Sequence, residues 1–267
     1  TTGAALTGGQ DGTVQSAAYS AYLTAIEPYK FDVMVYDGTD STVQTALLSF
    51  IKRVNENNGQ YCQLVASDLS NPDTRYVINV NSPATLSDGT ELTAQQVTWW
   101  AGGAQAGARY NESLTYAQYP GAVSTVMWTV DEYANQIQAG NFVLFAEDGV
   151  VKVMQDINSL VSYTEDIGEV YSKNRVMRLC NTIANDIFQQ FSANFIGVVN
   201  NNEQGRARFQ AAIVGYLQQI QDNQGIQNFT AEDVEVLAGT AIDAIVVNVA
   251  IQAVDSVEKI YMTIEVS

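Results

Sequence analysis

Two apolar runs, FDVMVYD at 31–37 and YCQLVA at 61–66, bracket a segment with helical spacing of its hydrophobic residues. Val43, Leu47, Phe50, Ile51 and Val54 stand at i, i+4, i+7, i+8 and i+11, which is one face of a helix. Asp40 or Ser41 can cap its start, and NNG at 57–59 stops it. RYVINVN at 75–81 supplies a further strand, and SDGT at 87–90 a turn. An earlier helix, 14–26, ends before Pro28. Strand alternating with helix calls for helices laid on a sheet, the α/β arrangement.

Thr93 can cap a helix reaching Gly107. It contains AGGAQAGA, and each glycine costs about 1 kcal/mol against alanine. Close packing on the sheet is the expected compensation. A phosphate loop is disfavoured, because the lysine of that motif is missing and no strand directly precedes it. A short helix at 131–139 leads into NFVLFAEDGVVKVMQDI, where Glu147, Asp148 and Gly149 mark a hairpin.

The second half predicts two long helices and a terminal β region. The first helix, 168–195, carries a buried stripe of Val176, Cys180, Ile183, Ile187 and Phe191. Arg175 and Arg178 fall on its other side, and Lys173 near its start. Asn200 with Glu203 reads as a capping box for the second helix, which runs to about 223. Phe209, Ile213, Leu217 and Ile220 form its apolar face, with Arg206 at the end of that face. DAIVVNVAIQAV at 243–254 is apolar on both sides, like a central strand. VEKIYMTIEV at 257–266 alternates: Ile260, Met262, Ile264 and Val266 on one face, Tyr261, Thr263 and Glu265 on the other. The expected fold is α/β (α+β), with a mixed sheet and packed helices in the first half, then two long helices and a terminal sheet. The division is a linker at 1–13 from an upstream region, a central α/β domain at 14–157 and a C-terminal domain at 158–267.

Charge and chemistry narrow the function. Twelve Lys and Arg stand against 29 Asp and Glu, a net charge of −17, which repels phosphate backbones. Histidine is absent, which removes Ser-His-Asp and Cys-His arrangements and the usual zinc sites. Cys62 and Cys180 read as buried free thiols, in keeping with a reducing compartment at synthesis. No apolar run approaches the ~18 residues of a membrane span, and no signal peptide opens the chain. Asp37 and Asp40 are explained as turn and cap. Glu232 and Asp233, after Thr230, read as a first helical turn or a solvated loop. The sequons at Asn111 and Asn228 matter only in secreted eukaryotic proteins. Trp99 and Trp100 could stack a sugar or a base, but packing of at least one ring into the core is favoured. No catalytic, cofactor or metal site is expected.

Five of the twelve basic residues, Lys173, Arg175, Arg178, Arg206 and Arg208, lie between 173 and 208, where the only acids are Asp186 and Glu203. The local charge is +3 (five minus two) in a chain of −17. If the two helices pack antiparallel, these form two patches. Cations near a helix C-terminus are favoured by about 0.3–1 kcal/mol, which gives a structural explanation. The functional one is an interface with acidic surfaces, where charge sets register.

VVKVMQDINSLVSYTED, the long stretch from KNRVMRLC to GIQNF, and VDSVEKIYMTIEV resemble the C-terminal region of contractile-tail sheath proteins of myophages and defective prophages of Gram-positive bacteria. LTGGQDGT and LSDGTELTAQQVTWWAGGAQAGARYNESLTYAQYPGA resemble the central part of that family. The resemblance runs from Leu6 through nearly the whole chain, and rests on the order and length of several stretches rather than on a catalytic motif. Members usually carry more sequence before the GG.DG segment, including an N-terminal arm. The resemblance implies a mechanical role without cofactor or nucleotide hydrolysis. Sheath subunits stack in rings around an inner tube protein, between baseplate and tail terminator proteins. They assemble extended and then shorten, which drives the tube through the target envelope. Direct nucleic-acid contact and membrane insertion are not implied. The location implied is the tail of a virion, or of a prophage or bacteriocin particle, assembled in the bacterial host cytoplasm.

Subunits of that family stay linked through arms that add strands to neighbouring sheets, and residues 260–266 are the expected arm. Burying Ile260, Met262, Ile264 and Val266 would contribute about 6–12 kcal/mol gross. Fixing a partner costs about 4–15 kcal/mol, so one arm is marginal outside a cooperative lattice. The alternatives are that this strand closes its own subunit's sheet, and that the chain is an α/β enzyme or binding domain. The enzyme is disfavoured by the missing histidine and the lack of clustered reactive groups.

Overall fold

The structure, a computed structural model, describes residues 15–258 and Met262. The expected linker at 1–13 lies outside the described residues, as do Ile260, Tyr261, Thr263, Ile264, Glu265 and Val266 of the expected arm.

The chain begins with α1 (Ser16–Ile26), β1 (Val33–Val35), α2 (Ser41–Asn57), β2 (Gln63–Ser67) and β3 (Val77–Val80). α2 starts where Asp40 Oδ1 accepts the N–H groups of Thr42 and Val43, at 2.8 and 3.3 Å. All five residues of its expected apolar face are buried. There follow β4 (Ala84–Leu86), β5 (Glu91–Leu92), α3 (Ala94–Gly107), β6 (Ala122–Ser124), α4 (Val130–Gln138), β7 (Asn141–Phe142), β8 (Leu144–Glu147) and β9 (Val150–Val153).

β1, β2, β3 and β7 form one parallel sheet in that order, with Val35 opposite Val65, Val65 opposite Ile78 and Val80 opposite Phe142. β2 is buried on both faces, as parallel strands between helical layers must be. Leu64 and Ala66 face α2 and its core of Leu47, Phe50, Ile51 and Val54. Val65 faces the other way, to Val97 and Ala101 of α3 and to Phe142. The antiparallel part of the expected mixed sheet is separate: β5-β4-β6, and the β8–β9 hairpin. That hairpin turns at Asp148 (φ 52) and Gly149 (φ 75), both left-handed as a tight two-residue turn requires.

The glycines of α3 meet the expectation only in part. A Cβ on Gly102 would run into the Val35 side chain, so helix and sheet approach closely there, whereas Gly103 and Gly107 face open space. Trp100 stacks on Tyr119 at 4.3 Å beside the core, while Trp99 is half exposed and donates to Asp37 Oδ2 at 2.9 Å.

The C-terminal half holds a 3₁₀ turn (Glu169–Ser172), α5 (Asn174–Asn194), α6 (Glu203–Asp222), β10 (Ile226–Gln227), a second 3₁₀ turn (Ala231–Asp233), β11 (Val234–Ala238), β12 (Ile245–Val249) and β13 (Gln252–Ala253). α5 and α6 run antiparallel: Phe191 and Phe195 lie 4.9 and 4.7 Å from Phe209, and Tyr216 donates to Asp186 Oδ2 at 2.6 Å. Their shared core is Leu179, Ile183, Phe209, Ile213, Leu217 and Ile220, closed by Val234 and Val236 of β11.

Three expectations are corrected. The first helix is not continuous from 168. It breaks at Lys173 (ψ 122), because the Asn174 N–H donates to the Asp156 carbonyl at 3.0 Å instead of continuing the turn. The cap of α6 is Asn202, not Asn200: Asn202 Oδ1 accepts the Gly205 N–H at 2.8 Å. The apolar run 243–254 is not a central strand. Among the described residues β12 pairs only with β11, and the chain breaks at Ala250, whose N–H donates to the Asp233 carbonyl at 2.9 Å. One face of β12 lies over the helices, and Val246 on the other is 46% exposed. The next pairing, β13 with β10, is separate. In the expected strand at 257–266, the described residues Val257, Glu258 and Met262 are not in strand, and Met262 is 76% exposed.

Candidate interaction sites

Asp156 follows the β8–β9 hairpin and is 1% exposed. Four donors surround its carboxylate. Gln105 Nε2 and Asn174 Nδ2 reach Oδ1 at 2.7 and 2.9 Å. The Leu114 N–H and Arg178 Nη2 reach Oδ2 at 3.0 and 2.9 Å. Arg178 also donates to Gln105 Oε1 and to the Glu112 carbonyl. Asn174 in turn accepts from Gln63 of β2 at 3.2 Å. A buried charge is tolerated when it is paired and its remaining lone pairs are filled, and both conditions are met here. The group joins the parallel sheet, α3, the 109–116 loop and the start of α5.

The rest of the α5 cluster is also turned inward. Lys173 pairs with Glu258, whose other oxygen accepts from Thr115 Oγ1 at 2.7 Å. Arg175 is 7% exposed and lies 4.0 Å from Asp255. Burial pushes its guanidinium below the usual arginine range. The expectation that Arg175 and Arg178 lie on the side away from the buried face is therefore corrected. The α5 stripe is broader than its aliphatic positions, and includes Asn174, Arg175, Met177 and Leu179. The signal that would have found this is the carboxylate itself. Asp156 is an acid in a run, VKVMQDI, whose Val153 and Ile157 are buried.

Arg206 and Arg208 differ. Arg208 is exposed, Arg206 donates to Asn201 Oδ1 at 3.1 Å, and neither forms an ion pair among the described residues. They lie beside the C-terminal end of α5, a separate place from Lys173.

A second feature is the β11–β12 pair. Its two outer edges carry no strand partner among the described residues. Between β12 and α5 runs an apolar groove of about 780 Å³, lined by Ile187, Phe188, Phe191, Ile245, Val247 and Ile251. Cys180 also lines it, its thiol raised by burial, while the Cys62 thiol is fully buried and pushed up to about 12. Among the described residues no group of three His, Cys, Asp or Glu could hold a metal ion, and no helix is long and apolar enough to cross a membrane.

Residues 12–159 match the family described as phage tail sheath protein central domain, and residues 166–267 match the phage tail sheath C-terminal domain. The chain belongs to the phage tail sheath family. A solved sheath tail protein from Desulfitobacterium hafniense superposes on this sheath chain with a TM-score of 0.88 and 38% identity, covering 98% of it and 62% of the solved chain. The uncharacterized protein YqbK of Bacillus subtilis is 35% identical over 278 residues, which is 100% of this chain and 59% of YqbK. The sheath chain therefore spans about three fifths of the length of these relatives. The contracted helical sheath of the anti-feeding prophage shares the fold, with a TM-score of 0.70 at 16% identity over 94% of this chain and 73% of that one.

Proposed function

We propose that the chain is a structural subunit of a contractile tail sheath. Copies of it stack around an inner tube, associate with baseplate and terminator proteins, and pass from an extended to a shorter packing that drives the tube through an envelope. Its place is the tail of a phage, prophage or bacteriocin particle, assembled in the host cytoplasm. It works without catalysis: the chain has no histidine, and the carboxylate with the most partners, Asp156, is fully occupied by structural donors. Energy is stored as a difference between two polymer packings.

The observation that carries this reading is the β11–β12 pair over its apolar groove. An isolated two-stranded sheet is marginal in water, and unpaired edges accept strands from other chains. An extended arm from a neighbour would complete the sheet and cover Ile245, Val247 and Ile251. Residues 260–266 of this chain are the proposed donor. The central unit at 14–157 and the C-terminal unit at 158–267 would then divide the work, one forming the body and the other the linkage.

Negative-stain microscopy of the chain, alone and with a tube protein, tests the reading. Striated tubes or hollow sheaths are expected in the presence of the tube. A monodisperse particle that never polymerises, with a chemical turnover of its own, would overturn it.

A further inference from the structure

α4 is an amphipathic helix whose apolar face is only partly covered, chiefly where Trp128 meets Tyr133 edge-on at 5.3 Å. Val130, Tyr133, Ala134 and Ile137 recur at helical spacing, yet no residue of α4 is buried. The helix is held by polar contacts instead: Gln136 Oε1 accepts from Asn81 and Asn141 at 2.7 and 2.8 Å. Between its apolar face and the 154–163 segment lies a groove of about 520 Å³, with Ile157, Leu160 and Tyr163 on its far side. Met127 and Val130 stand 82% and 84% exposed nearby. The surroundings are acidic: Asp131, Glu132, Glu165, Asp166 and Glu169 are all exposed. Among the described residues Lys173 is the one cation lining the groove, and it is paired to Glu258.

At the other end of α5 the α5–α6 turn presents the complement. Ile196 and Val198 are 55% and 74% exposed, and Ile242 is 95% exposed. Asn201 Nδ2 holds these together by donating to the Ile242 and Ala244 carbonyls, both at 2.9 Å. Arg206 and Arg208 follow on α6. Glu203 and Asp243 offset them, so this apolar knob is locally neutral on a chain of net charge −17.

We propose that the α5–α6 turn of one subunit seats in the α4 groove of a second copy. Val198 and Ile196 would rest on Val130, Tyr133 and Ile137, with Arg206 and Arg208 turned to the surrounding carboxylates. The proposal rests on the reading of the chain as a polymerising sheath subunit. Charge selects the occupant: on so acidic a chain, Arg206 and Arg208 form no ion pair among the described residues, and the carboxylates around the α4 groove are their complement. Position selects the geometry. Knob and groove lie at opposite ends of α5, whose 21 residues span about 30 Å. A contact between two different patches of one chain propagates head to tail into a ring or a helix and cannot form a two-fold pair.

The test is charge complementation between two variants, R206E/R208E and E165K/D166K, read by sedimentation velocity at low salt. Each alone sets like charge against like charge and should associate about a hundredfold more weakly than the unaltered chain. An equimolar mixture restores both contacts and should recover association. As a measurement independent of charge, oxidation of a mixture of V198C and Y163C chains should yield a disulfide-linked dimer that neither gives alone. Unchanged association of both variants overturns the proposal, as does the absence of the mixed dimer. If the variants still build striated tubes, the contact is wrong and the sheath reading stands. If the mixed dimer forms but no tube ever does, the contact stands and the sheath reading falls.

Discussion

The two ends of α5 carry similar residues in opposite circumstances. At its start, Lys173, Arg175 and Arg178 are spent inside the molecule on Glu258, Asp255 and Asp156. At its end, Arg206 and Arg208 on the following helix have no acidic partner among the described residues. By sequence all five fall between 173 and 208, and antiparallel helices divide them into two patches. The difference teaches that basic character is not itself an interface signal: the first group holds the body together, and only the second is free to meet another chain.

The largest expected effect breaks the comparison at its buried end. Arg178→Met leaves Asp156 charged and short of a partner, and should cost about 3–5 kcal/mol. The melting temperature would fall by roughly 10 °C, since each kcal/mol shifts a chain of this size by about 2–4 °C. R206E/R208E, in contrast, should stay within about 0.5 kcal/mol of the unaltered chain. Equal melting of the two variants would erase the distinction. Gln105→Leu is the next step down. It removes one donor to Asp156 and one acceptor for Arg178 without removing charge, and should cost about 1–3 kcal/mol by denaturant titration.

Glu258→Gln probes the outer part of the buried cluster, where Lys173 is 23% exposed. Glu258 itself is 8% exposed, so the pair is more than a surface contact, and a loss of about 1–2 kcal/mol is expected. Its clearer signature is local: amide hydrogen exchange should quicken around 252–258 and stay unchanged in β1–β3. Uniform exchange would mean that Glu258 does not hold this segment.

The smallest effect comes from an exposed pair. Arg53, by hydrogen bonding, holds the Glu27 carboxyl down at about 2 from an ordinary 4.5, and Asn58 assists. A carboxylate lowered on folding stabilises fully above its unfolded value, and the contribution is lost as pH falls from about 4.5 toward 2. The melting difference between the unaltered chain and Glu27→Gln should therefore be present at neutral pH and close across that window. A gap that persists at pH 2 would show that packing, not charge, separates them.

Much of the frame was legible in advance. The α2 face, the α6 face and the hairpin at Asp148 and Gly149 follow from spacing and turn chemistry, and the structure buries or turns each as expected. Thr93 likewise marks the start of α3, where Thr93 and Gln96 form a capping box. Less legible were the ends and roles of segments that answer to distant partners. Asn174 breaks its helix for Asp156. β12 reads as a central strand because its sequence is apolar on both faces, but whether a strand has two neighbours is not written in the strand.

What the sequence determined by itself is local: which faces are apolar, where helices are capped, where the chain turns. These depend on residues within a few positions of one another, and the periods of helix and strand convert that order directly into faces. Tertiary structure alone decided where the charges went. Arg178 meets Asp156 from 22 positions away and Gln105 from 73, and Lys173 meets Glu258 from 85. The physical reason is that desolvation and pairing depend on what surrounds a charge in space. An arginine in a −17 chain becomes either a buried strut or an exposed contact only when the fold brings, or withholds, a carboxylate.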